Sequence, residues 1–324
     1  MIGTHQVRVS RRRGTSFRFE VRRNVTIVRG DSGTGKTTLY EMVVDHTRLG
    51  DASGVSIQCD KPCVALTDID WQNQLEQTRD SIVFVDEGFE PLASEAFAHA
   101  ALGSDNYFVI FSRSELANLP YSVNEVYRIK TSDKFHTFEP LYKRREGERY
   151  SLSRVTPKTD FDVLLTEDSK SGLQFFSRRF EGEELCVETS ASNSKITAWL
   201  LDHLDEHVFV VADGAAFGPY ADRVLKLQRE RPENITVCLP ESFEWLLLKS
   251  GIVKSEGLGA VLEDPSAHIE SASYATWERF FAALLVELTR GTPFAYKKAE
   301  LAEAYLVPAS ASRAMALIAC RNVR

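Results

Sequence analysis

Phe17, Phe19 and Val21 alternate with polar residues behind a turn-forming stretch from Arg11 to Gly14, and this period of two predicts a β-hairpin at the start of the chain. The pattern then changes. Val25 to Val28 is a short β-branched run ending in Gly30, and Lys36 to His46 continues as a helix, so a strand, a glycine-rich turn and a helix follow in order. Apolar runs at Val55 to Ile57, Ile82 to Val85, Tyr107 to Phe111 and Val123 to Ile129 predict further strands, separated by helix-length segments such as Glu90 to Leu102. Such alternation predicts a parallel sheet.

A basic stretch (Lys143, Arg144, Arg145, Arg149, Arg154, Lys158) then reads as a connection over 142–159. A second α/β series follows it. Its predicted strands are Phe161 to Leu165, Leu185 to Val187, Val208 to Ala212 and Ile235 to Leu239, with helices near 172–180, 194–205, 217–230 and 241–249. Tyr274, Trp277, Phe280, Phe281, Leu284, Leu285 and Leu288 recur at helical spacing, which predicts an amphipathic core helix. The expectation is therefore an α/β chain with domains at 1–141 and 160–255 and a helical region over 256–324.

Composition narrows the class. With 43% hydrophobic and 26% charged residues over 324 positions, disorder, collagen and a disulfide scaffold are excluded. No apolar run approaches the roughly 20 residues of a membrane span, and the arginine-rich start lacks a signal peptide's apolar segment, so a cytoplasmic protein without a membrane partner is expected. Cys59 and Cys63 are close but have no second pair or nearby histidines to complete a zinc site. Seven arginines in the first 23 residues (Arg8, Arg11, Arg12, Arg13, Arg18, Arg22, Arg23) face only Glu20, although the whole chain carries −7. That asymmetry permits phosphate or nucleic-acid contact, although a solvated arginine-rich hairpin is the commoner explanation.

Gly30, Asp31, Ser32, Gly33, Thr34, Gly35, Lys36 and Thr37 satisfy GxxxxGK[ST] between a predicted strand and a predicted helix. Glycines let backbone N–H groups turn inward around a phosphate at a helix N-terminus; Lys36 reaches the β- and γ-phosphates, Thr37 coordinates Mg²⁺, and Thr38 completes the phosphate-binding turn. Phosphoryl chemistry also needs an acid near the metal and a base for water. Ile82 to Val85 delivers Asp86 to a strand end for the first role and Glu87 for the second.

These two segments resemble the Walker A and Walker B motifs of P-loop NTPases, in the division that carries a catalytic glutamate beside the Walker B aspartate. The resemblance implies a P-loop sheet over roughly residues 1–140, with ATP and Mg as ligands. It also implies a polar sensor ending a further strand, assigned here to Ser112 after Tyr107 to Phe111, and a phosphate contact or exposed capping role for Arg113. No NKxD-like motif is present, which favours ATP over GTP, and no LSGGQ-like signature is present.

In the second half, Glu167 follows one predicted strand, Ser190 to Ser194 follow the next, and Asp213 to Gly218 follow the third. This order resembles the Toprim domain of topoisomerases, primases and OLD-type nucleases. The resemblance implies Glu167 as an acid-base residue and Asp213 as a metal ligand, giving a second Mg site, with Gly218 matching a family glycine. The second metal aspartate is replaced by Ala215, and Glu241 or Glu244 could supply a substitute carboxylate or merely cap a helix. His203, Glu206 and His207 spell HxxEH, but the segment ends a predicted helix and does not present both histidines on one helical face.

The implied function is a Mg-dependent ATPase whose nucleotide state controls a Toprim-like domain acting on nucleic acid, as in DNA processing or phage defence. The alternative is an ATP-gated scaffold that recruits a partner effector protein, and either reading expects a homo-oligomer.

Overall fold

The computed structural model describes residues 1–12, 14–31, 33–67, 69–142 and 161–318. Arg13, Ser32, Cys320 and all the basic residues of the expected connection lie outside the described residues. The chain is mixed α/β and divides into two compact units, Met1–Tyr142 with Glu263–Thr276, and Lys143–Leu262 with Trp277–Arg324.

Among the described residues the first unit carries nine strands, β1 (His5–Arg11), β2 (Ser16–Val21), β3 (Val25–Arg29), β4 (Val55–Gln58), β5 (Cys63–Ala65), β6 (Ile82–Val85), β7 (Tyr107–Phe111), β8 (Val126–Ser132) and β9 (Phe135–Pro140). Its helices are α1 (Lys36–Leu49), α2 (Trp71–Gln77) and α3 (Glu95–Leu102). The strands form one sheet in the order β4-β1-β2-β9-β8-β3-β7-β6-β5. The expected parallel sheet is corrected to a mixed one. From β8 through β3, β7 and β6 to β5 every pair is parallel, whereas β1 is antiparallel to both β2 and β4, and β8 is antiparallel to β9. Tight turns after β1 and β8 allow only antiparallel return. The run at Val55 to Ile57 accordingly leaves the parallel part and pairs with edge strand β1, Val9 opposite Ile57.

Strands β3, β6 and β7 are buried at every position, as strands covered on both faces must be. Helix α1 closes one face by placing Leu39, Met42 and Val43 in a core with Phe19, Phe84 and Phe111. The segment from Glu90 to Leu102 is a short 3-10 turn followed by α3, which starts where Ser94 Oγ accepts the Phe97 N–H at 3.1 Å. Residues 263–276, grouped by sequence with the helical tail, belong instead to this unit. They are tied to the chain start by polar bonds: the Met1 ammonium donates to Glu270 Oε1 and Ser271 Oγ, each at 2.9 Å, and Asn24 Nδ2 donates to the Ser271 carbonyl at 3.0 Å. Hydrophobic periodicity carries no trace of such an attachment.

The second unit is built on β10 (Val163–Thr166), β11 (Cys186–Thr189), β12 (Val208–Val211) and β13 (Ile235–Cys238), all parallel in the order β11-β10-β12-β13. Around them lie α4 (Ser171–Arg179), α5 (Ile196–Asp202), α6 (Ala221–Glu230), α7 (Phe243–Lys249), α8 (Leu258–Glu263), α9 (Trp277–Thr289), α10 (Glu303–Leu306) and α11 (Pro308–Ile318). Helix α9 buries Trp277, Phe281, Leu285 and Thr289, one face at the spacing of a helical turn.

Candidate functional site

Register decides what meets at the edge of the first sheet. Val28 of β3 lies opposite Phe111 of β7, and Val85 of β6 lies opposite Ile110 of β7. The three strands therefore end together, delivering Gly30, Asp86 and Ser112 to one edge, with the Ser112 N–H donating to the Val28 carbonyl at 3.2 Å. Gly30 (φ 143°) and Gly35 (φ 97°) adopt backbone conformations that a side chain would strain, and they turn the chain back into α1. At Gly35 the backbone conformation alone excludes a side chain, since a Cβ would stand in ordinary contact with the Phe17 ring at 3.5 Å.

Helix α1 begins with no side-chain cap and no acid in its first turn, so its N-terminal N–H groups and positive dipole end are available to an anion. Lys36 is 5% exposed and its ammonium donates to the Gly30 and Asp31 carbonyls, the latter at 3.0 Å. Thr34 Oγ1 also donates to the Asp31 carbonyl, at 3.0 Å. The loop is thus braced by its own side chains.

A cavity of about 320 Å³ opens over this turn. Its floor is Asp31, Gly33, Thr34, Gly35, Lys36, Thr37 and Thr38, and Glu87 and Arg113 form a second wall. Those two side chains are ion-paired at 3.0 Å. Asp86 and Ser112 stand at the same edge but do not line this cavity. Asp86 Oδ2 accepts the Gly88 N–H at 3.3 Å, and the Ser112 hydroxyl is engaged with Ser114, accepting its N–H at 3.0 Å and donating to its carbonyl at 3.1 Å. Ser112 borders instead a neighbouring cavity of about 530 Å³ that shares the Glu87 and Arg113 wall.

The remaining wall was not anticipated. It consists of Thr15, Phe17, Thr131 and His136. Phe17 of β2 and His136 of β9 are register partners, and their rings stack with centroids 4.5 Å apart. Thr131 Oγ1 lies 2.9 Å from His136 Nδ1 and fixes the ring, while burial holds the imidazole below its ordinary pKa and hence neutral at pH 7.

The N-terminal arginines are not all surface groups. Arg22 and Arg23 are drawn to the fully buried Glu125, at 2.7 and 3.3 Å, and Tyr127 OH donates to the same carboxylate at 3.1 Å. Arg11 pairs with Asp45 at 2.8 Å. Two of the seven arginines therefore hold up the fold.

In the second unit, Glu167 follows β10 and Asp213 follows β12 at one carboxyl edge. Asp213 is 6% exposed and spends Oδ1 accepting the Phe243 N–H at 2.9 Å, at the start of α7. Burial, then the charges of Glu278, Asp168 and Glu244 against the opposing Lys298, push Glu167 up to about 7. Asp213 is driven the same way, by burial first and then by Glu167. Glu244 of α7 is fully buried, and Lys298 lies 3.9 Å from it and 3.4 Å from Glu278. Among the described residues no group of three or more acids, histidines or cysteines is arranged to hold a metal ion. The donor set at Glu167 and Asp213 does not fit a divalent cation: one aspartate oxygen caps a helix, position 215 is alanine, and an ammonium stands among the nearby carboxylates.

The HxxEH segment is unsuited to zinc as well. Helix α5 ends at Asp202, His203 stacks on Trp199 with ring centroids 3.8 Å apart, and His207 reaches Asp162 at 3.3 Å. Among the described residues no helix is long and apolar enough to cross a membrane.

Comparison with known protein families finds no family that matches the chain, and comparison with curated protein sequences finds no match either.

Proposed function

We propose that the first unit is a Mg-dependent ATPase of the P-loop kind. The observation that carries this reading is the cavity walled at once by the glycine turn with Lys36 and Thr37 and by Glu87. A triphosphate there meets the uncapped N-terminus of α1, and Lys36 exchanges loop carbonyls for phosphate oxygens. Thr37, backed by Asp86, would hold Mg²⁺, which when bound neutralises β- and γ-phosphate charge. Glu87 orients the attacking water once its ion pair with Arg113 opens, and the Arg113 guanidinium meets phosphate charge. The His136 ring, neutral and backed by Phe17, receives the nucleobase by stacking.

For the second unit, the all-parallel sheet with Glu167, the Ser190 turn and Asp213 along its carboxyl edge supports a Toprim-like domain. We propose that nucleotide state controls its engagement of a nucleic acid or of a partner protein, with a homo-oligomer as the working assembly. The ion-paired Lys298 favours the binding role over metal-dependent cleavage. The test is ATP turnover and DNA and RNA cleavage measured side by side for wild type, Lys36→Ala, Glu87→Gln and Asp213→Ala. Turnover is expected to fall about 100-fold or more in Lys36→Ala and Glu87→Gln, with no cleavage by any protein. Asp213-dependent cleavage would restore the nuclease reading.

A further inference from the structure

Four carboxylates crowd the carboxyl edge of the second sheet and the helices beside it: Glu167 after β10, Asp213 after β12, Glu244 on α7 and Glu278 on α9. Burial pushes Glu167 and Asp213 toward their protonated forms, and the charge that the edge retains calls for a cation beside it. Glu244 is the most demanding member. It is fully buried, its Oε1 accepts the Tyr296 hydroxyl at 2.6 Å, and its Oε2 is sealed from solvent without a hydrogen-bond partner.

The only ammonium placed at this cluster among the described residues comes from the segment between α9 and α10. Lys298 Nζ lies 3.4 Å from Glu278 Oε1 and 3.9 Å from Glu244 Oε1. Its backbone is pinned on both sides. Before it, Tyr296 donates its N–H to Thr289 Oγ1 at 3.0 Å, and its hydroxyl also lies 2.9 Å from Ser171 Oγ. After it, the Ala299 carbonyl accepts from Gln174 Nε2 at 2.8 Å, and the Leu301 N–H donates to Gln174 Oε1 at 2.9 Å. The lysine, whose side chain stays 44% exposed, is therefore delivered to the acids by a built strap that fixes its backbone on both sides. Glu244, Glu278, Asp213 and Asp168 together hold it charged against the cost of desolvation.

We infer that Lys298 is the resident cation of this edge, supplying through its ammonium the charge neutralisation that a divalent metal would otherwise provide among Glu167, Asp213, Glu244 and Glu278. This edge is in consequence metal-independent. This inference stands apart from the ATPase reading of the first unit.

The test is Mn²⁺ binding to the nucleotide-free full chain, followed by the electron paramagnetic resonance signal of free Mn²⁺, for wild type, Lys298→Arg, Lys298→Met, Asp213→Asn and the Lys298→Met/Asp213→Asn double variant. Wild type and Lys298→Arg are expected to take up no Mn²⁺ that depends on Asp213. Lys298→Met, which keeps the stem and loses the charge, is expected to bind Mn²⁺ at least about tenfold more tightly than wild type and to be stabilised by it, and the double variant to lose both effects. Uptake by wild type that disappears in Asp213→Asn would overturn the inference, as would a folded Lys298→Met that gains no Mn²⁺ affinity. Should Lys298→Met fold only with Mn²⁺, the inference is supported. Should it fold under neither condition, the wild-type titration decides alone: absence of Asp213-dependent uptake supports the resident lysine, and its presence refutes it.

Discussion

An alanine at position 214 would place its Cβ 2.7 Å from the Leu239 carbonyl oxygen and 2.9 Å from that of Pro240. Both atoms are backbone beyond the end of β13, so no side chain can swing aside. The Gly214 N–H already donates to the Pro240 carbonyl at 2.6 Å, and the Ala215 N–H donates to the Glu241 carbonyl at 3.1 Å. Relief therefore means prying the chain after β12 away from the chain after β13. Overpacking of this kind costs about 1–3 kcal/mol, and a weakened backbone hydrogen bond adds about 1 kcal/mol, so Gly214→Ala is expected to destabilise the second unit by about 3 kcal/mol. Fluorescence can read that unit separately, because Trp199, Trp245 and Trp277 belong to it whereas Trp71 lies in the first. In a Trp71→Phe background, a urea slope of roughly 2–3 kcal/mol per M converts the loss into a midpoint drop of about 1 M. ATP turnover at low urea should persist. A midpoint drop below about 0.3 M would refute the close-approach argument.

His136→Ala is expected to raise the KM for ATP about tenfold with little change in kcat, and to leave binding of inorganic tripolyphosphate unchanged, as steady-state kinetics and competition titration would show. Glu125→Ala removes the carboxylate that Arg22 and Arg23 share in the interior and should lower first-unit stability by about 3 kcal/mol, measured by thermal melting of the nucleotide-free protein. Glu167 is held near 7 when folded against an ordinary 4.5, so the folded state binds the extra proton between those values, and second-unit stability should fall as pH rises from about 4.5 to about 7. Glu167→Gln should flatten that slope in urea titrations repeated across the pH range.

Local chemistry was legible wherever one stretch of chain carries it. The glycine turn, the apolar runs that became β3, β6 and β7, and strands β10 and β12 of the second sheet announce themselves by composition and period, because these strands are buried at every position or the turn demands glycine. Pairing partners were not legible. The β2 to β9 contact joins Phe17 to His136 across most of the first unit, and nothing in Phe135 to Pro140 distinguishes a strand that completes a site from an exposed hairpin arm. Lys298 escaped for the same reason: nothing in the sequence near it announces Glu244 and Glu278, which only the fold brings beside it. Arg22 and Arg23 show the converse error, a run of charge suited to a surface whose last members are buried on Glu125.

The most direct test of the central claim is calorimetric titration of wild type, Lys36→Ala and Glu87→Gln with ATP and Mg²⁺. The account predicts one ATP per chain for wild type and Glu87→Gln, and binding weakened about 100-fold or more in Lys36→Ala, because the lysine loses its charge-assisted contacts to phosphate. Equal affinity in wild type and Lys36→Ala, or no binding by wild type, would contradict it.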